Sequence, residues 1–170
     1  MNENKILVVD DEENIIKAIR RTFIDDAVEI VGATSGAEGL KMLAKDDDID
    51  LVISDYKMPQ MNGIEFLSRV QHDFPNVLTI ILTAYGDIET AMQAINEVGA
   101  YKFILKPWND SELRITVKRA LELDKILKER NLLQRTVKRQ DIVLKAMEKK
   151  YPGISEVEYD EDGNRIFKLK

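Results

Sequence analysis

The chain has 170 residues, of which 44% are hydrophobic and 33% charged, as expected for a globular protein with one core and some chain beyond it. It contains no cysteine and one histidine, which excludes disulfides, thiolate metal sites and histidine-rich metal sites. No apolar run approaches the roughly 18 residues of a membrane span, and the first residues lack a signal-peptide layout, so we expect a cytoplasmic protein without a membrane segment.

Charge is distributed unevenly along the chain, although the net charge is only −6. Residues 1–110 hold 10 Lys and Arg against 20 Asp and Glu, a net charge of −10. Residues 111–150 hold 12 against 6, a net charge of +6. The change of sign near residue 110 predicts two regions with different partners.

Short apolar runs alternate with helical patterns over the first 110 residues. The runs are rich in Val, Ile and Leu and predict five buried strands, at 5–9, 28–33, 50–54, 77–82 and 102–105. Two of the intervening helices show apolar stripes, formed by Ile15, Ile16, Ile19 and Phe23 and by Ala91, Ala94, Ile95 and Val98. A capping box, "SGAE" at 35–38, opens the second helix. Alternating strands and helices of this kind predict an α/β domain with a doubly wound parallel sheet.

Polar residues follow four of the predicted strands. Asp10 and Asp11 follow the first strand, Asp55 the third, Thr83 the fourth and Lys106 the fifth. In an open parallel sheet the functional crevice lies beyond the carboxyl ends of the strands. We therefore expect these five side chains to lie close together.

The chemistry of this set predicts phosphoryl transfer onto an aspartate. Three converging carboxylates repel one another without a cation, and ligands that are all oxygens suit Mg²⁺. Thr83 offers a hydroxyl donor, and Lys106 offers an ammonium group suited to phosphate charge. A carboxylate such as Asp55 can be the nucleophile, which gives an aspartyl phosphate.

The stretch from Ser111 onward predicts one long helix. It contains no Gly or Pro up to residue 150, and about forty helical residues span on the order of 60 Å, which exceeds the core of the preceding domain. With Leu123 at heptad position a, the a and d positions are Leu123, Ile126, Arg130, Leu133, Val137, Gln140, Leu144, Met147 and Tyr151. Seven of the nine are apolar, which favours a coiled coil, and the two polar exceptions weaken the seam but could fix its register.

The last residues predict a short tail. Pro152 and Gly153 should end the helix, because proline lacks an N–H donor and glycine frees the backbone. Residues 157–169 predict two short strands around a turn at 160–164, that is, a β-hairpin.

Four segments resemble the receiver domain of two-component response regulators: "VVDDE" (8–12), "SDYKMPQMNG" (54–63), "LTAYG" (82–86) and "FILKPW" (103–108). The resemblance covers residues 1 to about 122 and implies a flavodoxin-like five-stranded sheet of order 2-1-3-4-5. It suggests a receiver domain at 1–122, a coiled-coil helix at 123–151 continuous with the last receiver helix, and a hairpin tail at 152–170. We expect a homodimer through residues 123–151.

The resemblance also implies a role for each residue of the predicted site. Asp55 matches the phosphoacceptor, which a sensor histidine kinase phosphorylates with Mg²⁺. Asp11 matches the acid that contacts Mg²⁺ directly, and Asp10 matches its partner, which usually acts through water. Asp55 itself and the backbone carbonyl of Lys57 complete the implied metal site. Such a domain assists its own phosphorylation and dephosphorylation, and is not otherwise an enzyme.

A switch is implied by the same resemblance. Thr83 matches the switch hydroxyl, Lys106 the phosphate-binding lysine, and Phe103, rather than Tyr101, the switch aromatic three residues before that lysine. Phosphate would draw Thr83 inward, let Phe103 become buried, and so alter the face formed by the fourth helix, strand five and the fifth helix. The peptide between Lys106 and Pro107 is expected to be cis.

Three alternatives remain open. The chain could be a fragment of a longer regulator with a missing output domain. Haloacid-dehalogenase-type phosphatases also use an aspartyl nucleophile with Mg²⁺, Thr and Lys, but they need an Asp-x-Asp loop where this chain has "DDEEN". The basic stretch could touch nucleic acid nonspecifically, although no helix-turn-helix unit fits after residue 110, so we expect no sequence-specific DNA binding.

Overall fold

The computed structural model describes residues 4–87, 89, 92, 96–152, 158–159 and 165–166. Five parallel strands form one sheet of order β2-β1-β3-β4-β5, which confirms the predicted flavodoxin-like fold. The strands are β1 (Asn4–Val9), β2 (Val28–Ala33), β3 (Ile49–Asp55), β4 (Leu78–Ala84) and β5 (Lys102–Lys106). The helices are α1 (Glu13–Thr22), α2 (Gly36–Leu43), α3 (Gly63–Asp73), a 3₁₀ turn (Tyr85–Asp87) and the long helix (Asp110–Lys150).

Both faces of the sheet are covered, which explains the continuous apolar runs in the sequence. In β1, Ile6 and Val8 point to one face and Leu7 and Val9 to the other, and all four are completely buried. α1 and the first part of the long helix cover one face, while α2 and α3 cover the other. A strand packed on both sides has no solvent face, so its sequence does not alternate between apolar and polar residues.

The start of the long helix is fixed by local polar contacts and by burial. The Asn109 carboxamide oxygen accepts from the N–H groups of Ser111 and Glu112 at 2.9 and 3.2 Å, which caps the helix. The Thr22 hydroxyl at the end of α1 donates to Asp110 at 3.0 Å. Further along, Leu113, Val117 and Ala120 of the helix are completely buried, as are the side chains of Ile6 to Val9 in β1. This first part of the helix therefore belongs to the core.

The chain divides into two compact units, residues 1–126 and 127–170. In the second unit the long helix continues to Lys150, and Glu158–Tyr159 pairs in antiparallel fashion with Arg165–Ile166. The predicted turn at 160–164 and the rest of the tail lie outside the described residues, so the hairpin stays a prediction. None of the helices in the described part of the chain is both long and apolar enough to cross a membrane.

Ser35 caps α2 as predicted, because its side chain accepts from the Glu38 N–H. The second half of the predicted capping box, a bond from the Ser35 N–H to the Glu38 carboxylate, was wrong: that carboxylate accepts from the Thr34 N–H and hydroxyl at 2.7 and 3.1 Å. Two donors on one residue hold that carboxylate better than a single N–H. Of the stripe predicted at 91–98, residues 96–98 are helical and Val98 is buried, while Ala91, Ala94 and Ile95 lie outside the described residues.

Gly63 provides a test of how tightly the chain turns back after β3. A Cβ atom at this position would lie 2.2 Å from the backbone oxygen of Asp55, so the backbone must shift to accept one. We expect Gly63→Ala to lower the free energy of unfolding by about 1–3 kcal/mol, as overpacking does in other proteins. Gly86→Ala is the matched control, because nothing lies within 4 Å of its Cβ position. Urea unfolding followed by circular dichroism measures both, and equal midpoints for the two variants would contradict the prediction.

Candidate functional site

Three charged side chains meet where β1, β3 and β5 end. The Lys106 ammonium nitrogen lies 2.7 Å from Asp10 Oδ2 and 2.6 Å from Asp55 Oδ1. Asp10 is completely buried and Asp55 is 7% exposed. One ammonium group is thus shared between two buried carboxylates. Of the five strand-end residues expected to lie close together, these contacts join Lys106, Asp10 and Asp55.

The backbone fixes the remaining oxygen of each carboxylate. Asp10 Oδ1 accepts from the N–H of Glu12, and Asp55 Oδ2 accepts from the N–H of Lys57, both at 2.9 Å. Asp55 is also held in the sheet, because it pairs in register with Leu82 of β4. Each carboxylate therefore has one oxygen on Lys106 and one on a backbone donor, which fixes its orientation.

Burial and charge act in opposite directions on this site. Burial raises the pKa of the Asp55 carboxyl, and this effect outweighs the attraction of Lys106, while the nearby charge of Asp10 raises it further. Burial alone would lower the pKa of Lys106, but its hydrogen bonds to Asp10 and Asp55 outweigh burial and raise it. Lys106 therefore stays charged, and Asp55 is a poorly hydrated carboxylate beside a cation.

The acidic residues at this edge fit a magnesium ion. Oxygen atoms of Asp10, Asp11 and Asp55 all lie within 4.8 Å of one another. Asp10 and Asp55 are buried while Asp11 is exposed, so the cluster is open to solvent on one side. Mg²⁺ prefers oxygen ligands and keeps several of its waters, which such a half-open carboxylate cluster allows. That the backbone carbonyl of Lys57 is a further metal ligand stays a prediction.

The two predicted switch residues lie on β4 and β5. Thr83 is 1% exposed, and its hydroxyl donates to the Ala84 carbonyl over a long 3.4 Å. Phe103 is half-buried, pairs in register with Ile81, and packs against the apolar cluster on the α2 and α3 face of the sheet. The peptide between Lys106 and Pro107 is cis, as predicted.

An ion pair that the sequence did not predict lies beside the site. The Lys57 side chain reaches Asp87 in the 3₁₀ turn after β4, with 2.9 Å between Nζ and Oδ2. This contact raises the pKa of Lys57 and joins the loop that holds Asp55 to the turn that follows Thr83. The Lys57 side chain is 71% exposed, so the pair adds little to stability. No spacing rule could find it, because the two residues belong to different strand-end loops.

Comparison with known proteins decides the family. The sequence profile described as "Response regulator receiver domain" matches residues 6–118. The chain belongs to this family. It is 37% identical over 123 residues to sporulation initiation phosphotransferase F of Bacillus subtilis, covering 72% of this chain and 97% of that protein. It is 36% identical over 126 residues to the regulatory protein AtoC of Escherichia coli, covering 74% of this chain and 27% of AtoC.

Solved structures agree with this assignment. A response regulator receiver domain protein from Clostridium thermocellum superposes with a TM-score of 0.69 at 36% identity, covering 73% of this chain and 98% of that one. The resemblance stated from the sequence motifs is thus confirmed for the receiver domain. Receiver domains as a family are signalling domains that bind Mg²⁺ at an acidic pocket and are phosphorylated by sensor histidine kinases. The chain spans 24–33% of the length of several curated regulators that it matches.

Lys106 and a divalent cation should compete for the same carboxylates. An ammonium about 4 Å from a bound divalent cation opposes it by about 8 kcal/mol at an effective dielectric constant near 20. We therefore expect Lys106→Met to bind Mg²⁺ at least about tenfold more tightly than the parent, since about 1.4 kcal/mol already corresponds to a factor of ten. Isothermal titration with MgCl₂ measures this. Lys102→Met, on the same strand but bonded to the Thr116 hydroxyl, should bind like the parent. Unchanged or weaker binding by Lys106→Met would refute the competition.

Proposed function

We propose that this protein is a response regulator that a sensor histidine kinase phosphorylates on Asp55, and that phosphorylation controls a surface used for dimerisation or partner binding. The observation that carries the proposal is the sharing of one Lys106 ammonium between Asp10 and Asp55, beside the exposed carboxylate of Asp11. This arrangement provides a nucleophile, a cation for phosphate oxygens and an acidic cluster for a metal at one sheet edge.

Asp55 is the nucleophile in this proposal. A carboxylate oxygen forms a bond to phosphorus while the bond from phosphorus to the imidazole nitrogen of the kinase histidine breaks. The Lys57 N–H steadies the Asp55 carboxylate, and the Lys106 ammonium can pass from a carboxylate oxygen to a phosphoryl oxygen nearby. Mg²⁺ held by Asp10, Asp11, Asp55 and the Lys57 carbonyl would supply positive charge to the phosphoryl oxygens.

Thr83 and Phe103 transmit the signal. The Thr83 hydroxyl holds its present acceptor, the Ala84 carbonyl, only weakly at 3.4 Å, and a phosphoryl oxygen is a stronger, charged acceptor. When Thr83 turns toward the phosphate it vacates space on β4, and the half-buried Phe103 ring on β5 moves into it. The surface around β5 and its neighbouring helices then has two states, and the charge on Asp55 chooses between them.

The output is a homodimer formed through residues 123–151 in a cytoplasmic protein. The division into a receiver (1–122), a coiled-coil helix (123–151) and a hairpin tail (152–170) is part of this proposal. Its support is the long helix, which exposes large apolar side chains beyond residue 125. A second candidate, a receiver that controls a further output domain, is favoured by one observation: this chain covers only 27% of AtoC.

Phosphate labelling tests the acceptor. Incubation with acetyl phosphate and Mg²⁺ should add one base-labile phosphate, detected by intact mass. Asp55→Asn should abolish the addition because the nucleophile is gone, and Asp11→Ala should suppress it by weakening the metal site. Asp47→Asn, an exposed acid between α2 and β3, should label like the parent. Robust labelling of Asp55→Asn would place the acceptor elsewhere.

A separate measurement tests whether Thr83 transmits rather than accepts. Thr83→Ala should take up phosphate but lose most of the change that beryllofluoride causes in hydrogen exchange over residues 100–106. Lys106→Ala should also separate phosphorylation from this response, because the ammonium links the phosphate to the end of β5. Thr79→Ala is the matched control, since Thr79 lies on the same strand and is 2% exposed. A full beryllofluoride response in Thr83→Ala means that another residue is the switch.

A further inference from the structure

The long helix carries an apolar stripe on the outside of the structure. Five large side chains of the helix beyond residue 125, and Tyr151 directly after it, are each 43–65% exposed and fall on one helical stripe; the five are Ile126, Leu133, Val137, Leu144 and Met147. Arg130 and Gln140 occupy the gaps between them, and Leu123 precedes them on the same stripe. We name these nine residues the seam. Its polar members discriminate between the ways in which a second copy could cover it.

A parallel pairing would bring each polar residue of the seam against its own copy. In a parallel, in-register pair each seam residue faces the same residue of the second copy. Arg130 would then face Arg130 with like charge, and Gln140 would face Gln140. At the flanking positions Glu129 would meet Gln134, which provides no opposite charge. The parallel arrangement therefore places one repulsive contact in the seam and gains no ion pair beside it.

An antiparallel pairing matches every member of the seam from residue 123 to residue 147. If Arg130 faces Gln140 of the second copy, the other layers are Leu123 with Met147, Ile126 with Leu144, and Leu133 with Val137. Each layer occurs twice because of the twofold axis, and all of these other layers are apolar. Beside the seam, Glu122 comes next to Lys150 of the second copy, and these charges are opposite. Polar residues thus face polar residues, and apolar residues face apolar ones.

The two neighbouring antiparallel registers are worse. A shift by one heptad in one direction places Arg130 against Met147 and Gln140 against Val137. A shift in the other direction places Arg130 against Leu133 and Gln140 against Leu123, so both polar side chains again face apolar ones. A guanidinium has five N–H donors, and among the described residues that of Arg130 donates a long bond of 3.3 Å to the Asn131 side chain. The amide oxygen of Gln140 can accept from it without burying an unmatched group.

We propose that the long helix pairs antiparallel with a second copy of this chain, in the register that places Arg130 opposite Gln140, an arrangement that rests on the dimer in the proposed function. A single polar position in a coiled coil is known to fix register and orientation at a cost in stability. Here two different polar residues complement each other only in this alignment.

Engineered disulfides test the orientation, because the full chain has no cysteine of its own. Mixed Ile126→Cys and Leu144→Cys proteins should cross-link under mild oxidation, while each variant alone should not. In the proposed alignment two copies of position 126 lie 18 residues apart along the helix, about 27 Å, whereas a disulfide needs Cβ atoms about 4 Å apart. Ile142→Cys, 66% exposed but on the opposite side of the helix, is the control that should stay uncross-linked.

The other possible cross-linking results would overturn the orientation, the register or the dimer itself. A disulfide dimer of Ile126→Cys alone shows a parallel pair, which overturns the orientation and leaves the dimer intact. Cross-linking of Ile126→Cys with Tyr151→Cys in place of Leu144→Cys overturns the register. A monomer by light scattering with no cross-link overturns both this inference and the proposed dimer. The labelling of Asp55 is measured separately and does not depend on any of these results.

A change of charge gives an independent test in the uncross-linked protein. Gln140→Glu would place a carboxylate opposite Arg130 in the proposed register and should lower the dimer dissociation constant severalfold. In a parallel pair the same change sets Glu against Glu and raises the constant. Ala146→Glu, which adds the same charge away from the seam, should leave it nearly unchanged. Sedimentation equilibrium measures all three, and a raised or unchanged constant for Gln140→Glu overturns the register.

Discussion

The site depends on one ammonium group that holds two buried carboxylates. Asp10 follows β1 and Asp55 ends the neighbouring strand β3, and the negative charges of two buried carboxylates with oxygens within 4.8 Å of each other repel without a cation between them. Lys106 supplies the charge from the far side of β4, at 2.7 and 2.6 Å. The contact joins three strand ends, and an ion that binds to Asp10 or Asp55 meets the charge of Lys106.

The apolar sheet makes this contact possible by keeping its strand ends in place. β3 is buried along almost its whole length and remains in register with β4 up to Asp55 itself. The chain then turns back so closely that Gly63 donates its N–H to the Tyr56 carbonyl at 2.9 Å. The sequence pattern of an apolar strand that ends on Asp55 and is followed by Pro59 and Gly63 therefore has a structural reason. The strand holds the carboxylate at the edge of a rigid sheet, and the chain turns back directly after it.

The sequence was informative where structure follows from local pattern. The five strands were found within two residues at each end, because a strand covered on both faces is a continuous apolar run. The clustering of Asp10, Asp11, Asp55 and Lys106 could be expected because each lies at the end of such a run. The individual contacts between distant residues were not predicted. They depend on side-chain conformations that no sequence spacing encodes, as in the pair of Lys57 with Asp87 and the simultaneous pairing of Lys106 with both carboxylates. The Asn109 cap could have been recognised, since Asn directly precedes the helix.

The long helix shows how one periodic pattern can meet two different needs. Its early residues Leu113 and Val117 are completely buried on the sheet, whereas Leu133 and Val137 further along are 65% and 62% exposed. Periodicity alone predicts helix in both parts and does not name the partner of the second part. Apolar seam residues are nearly interchangeable in either orientation, so they contain little information about it. The seam residues that weaken a coiled coil most, Arg130 and Gln140, are for that reason the ones that distinguish one alignment of two copies from another.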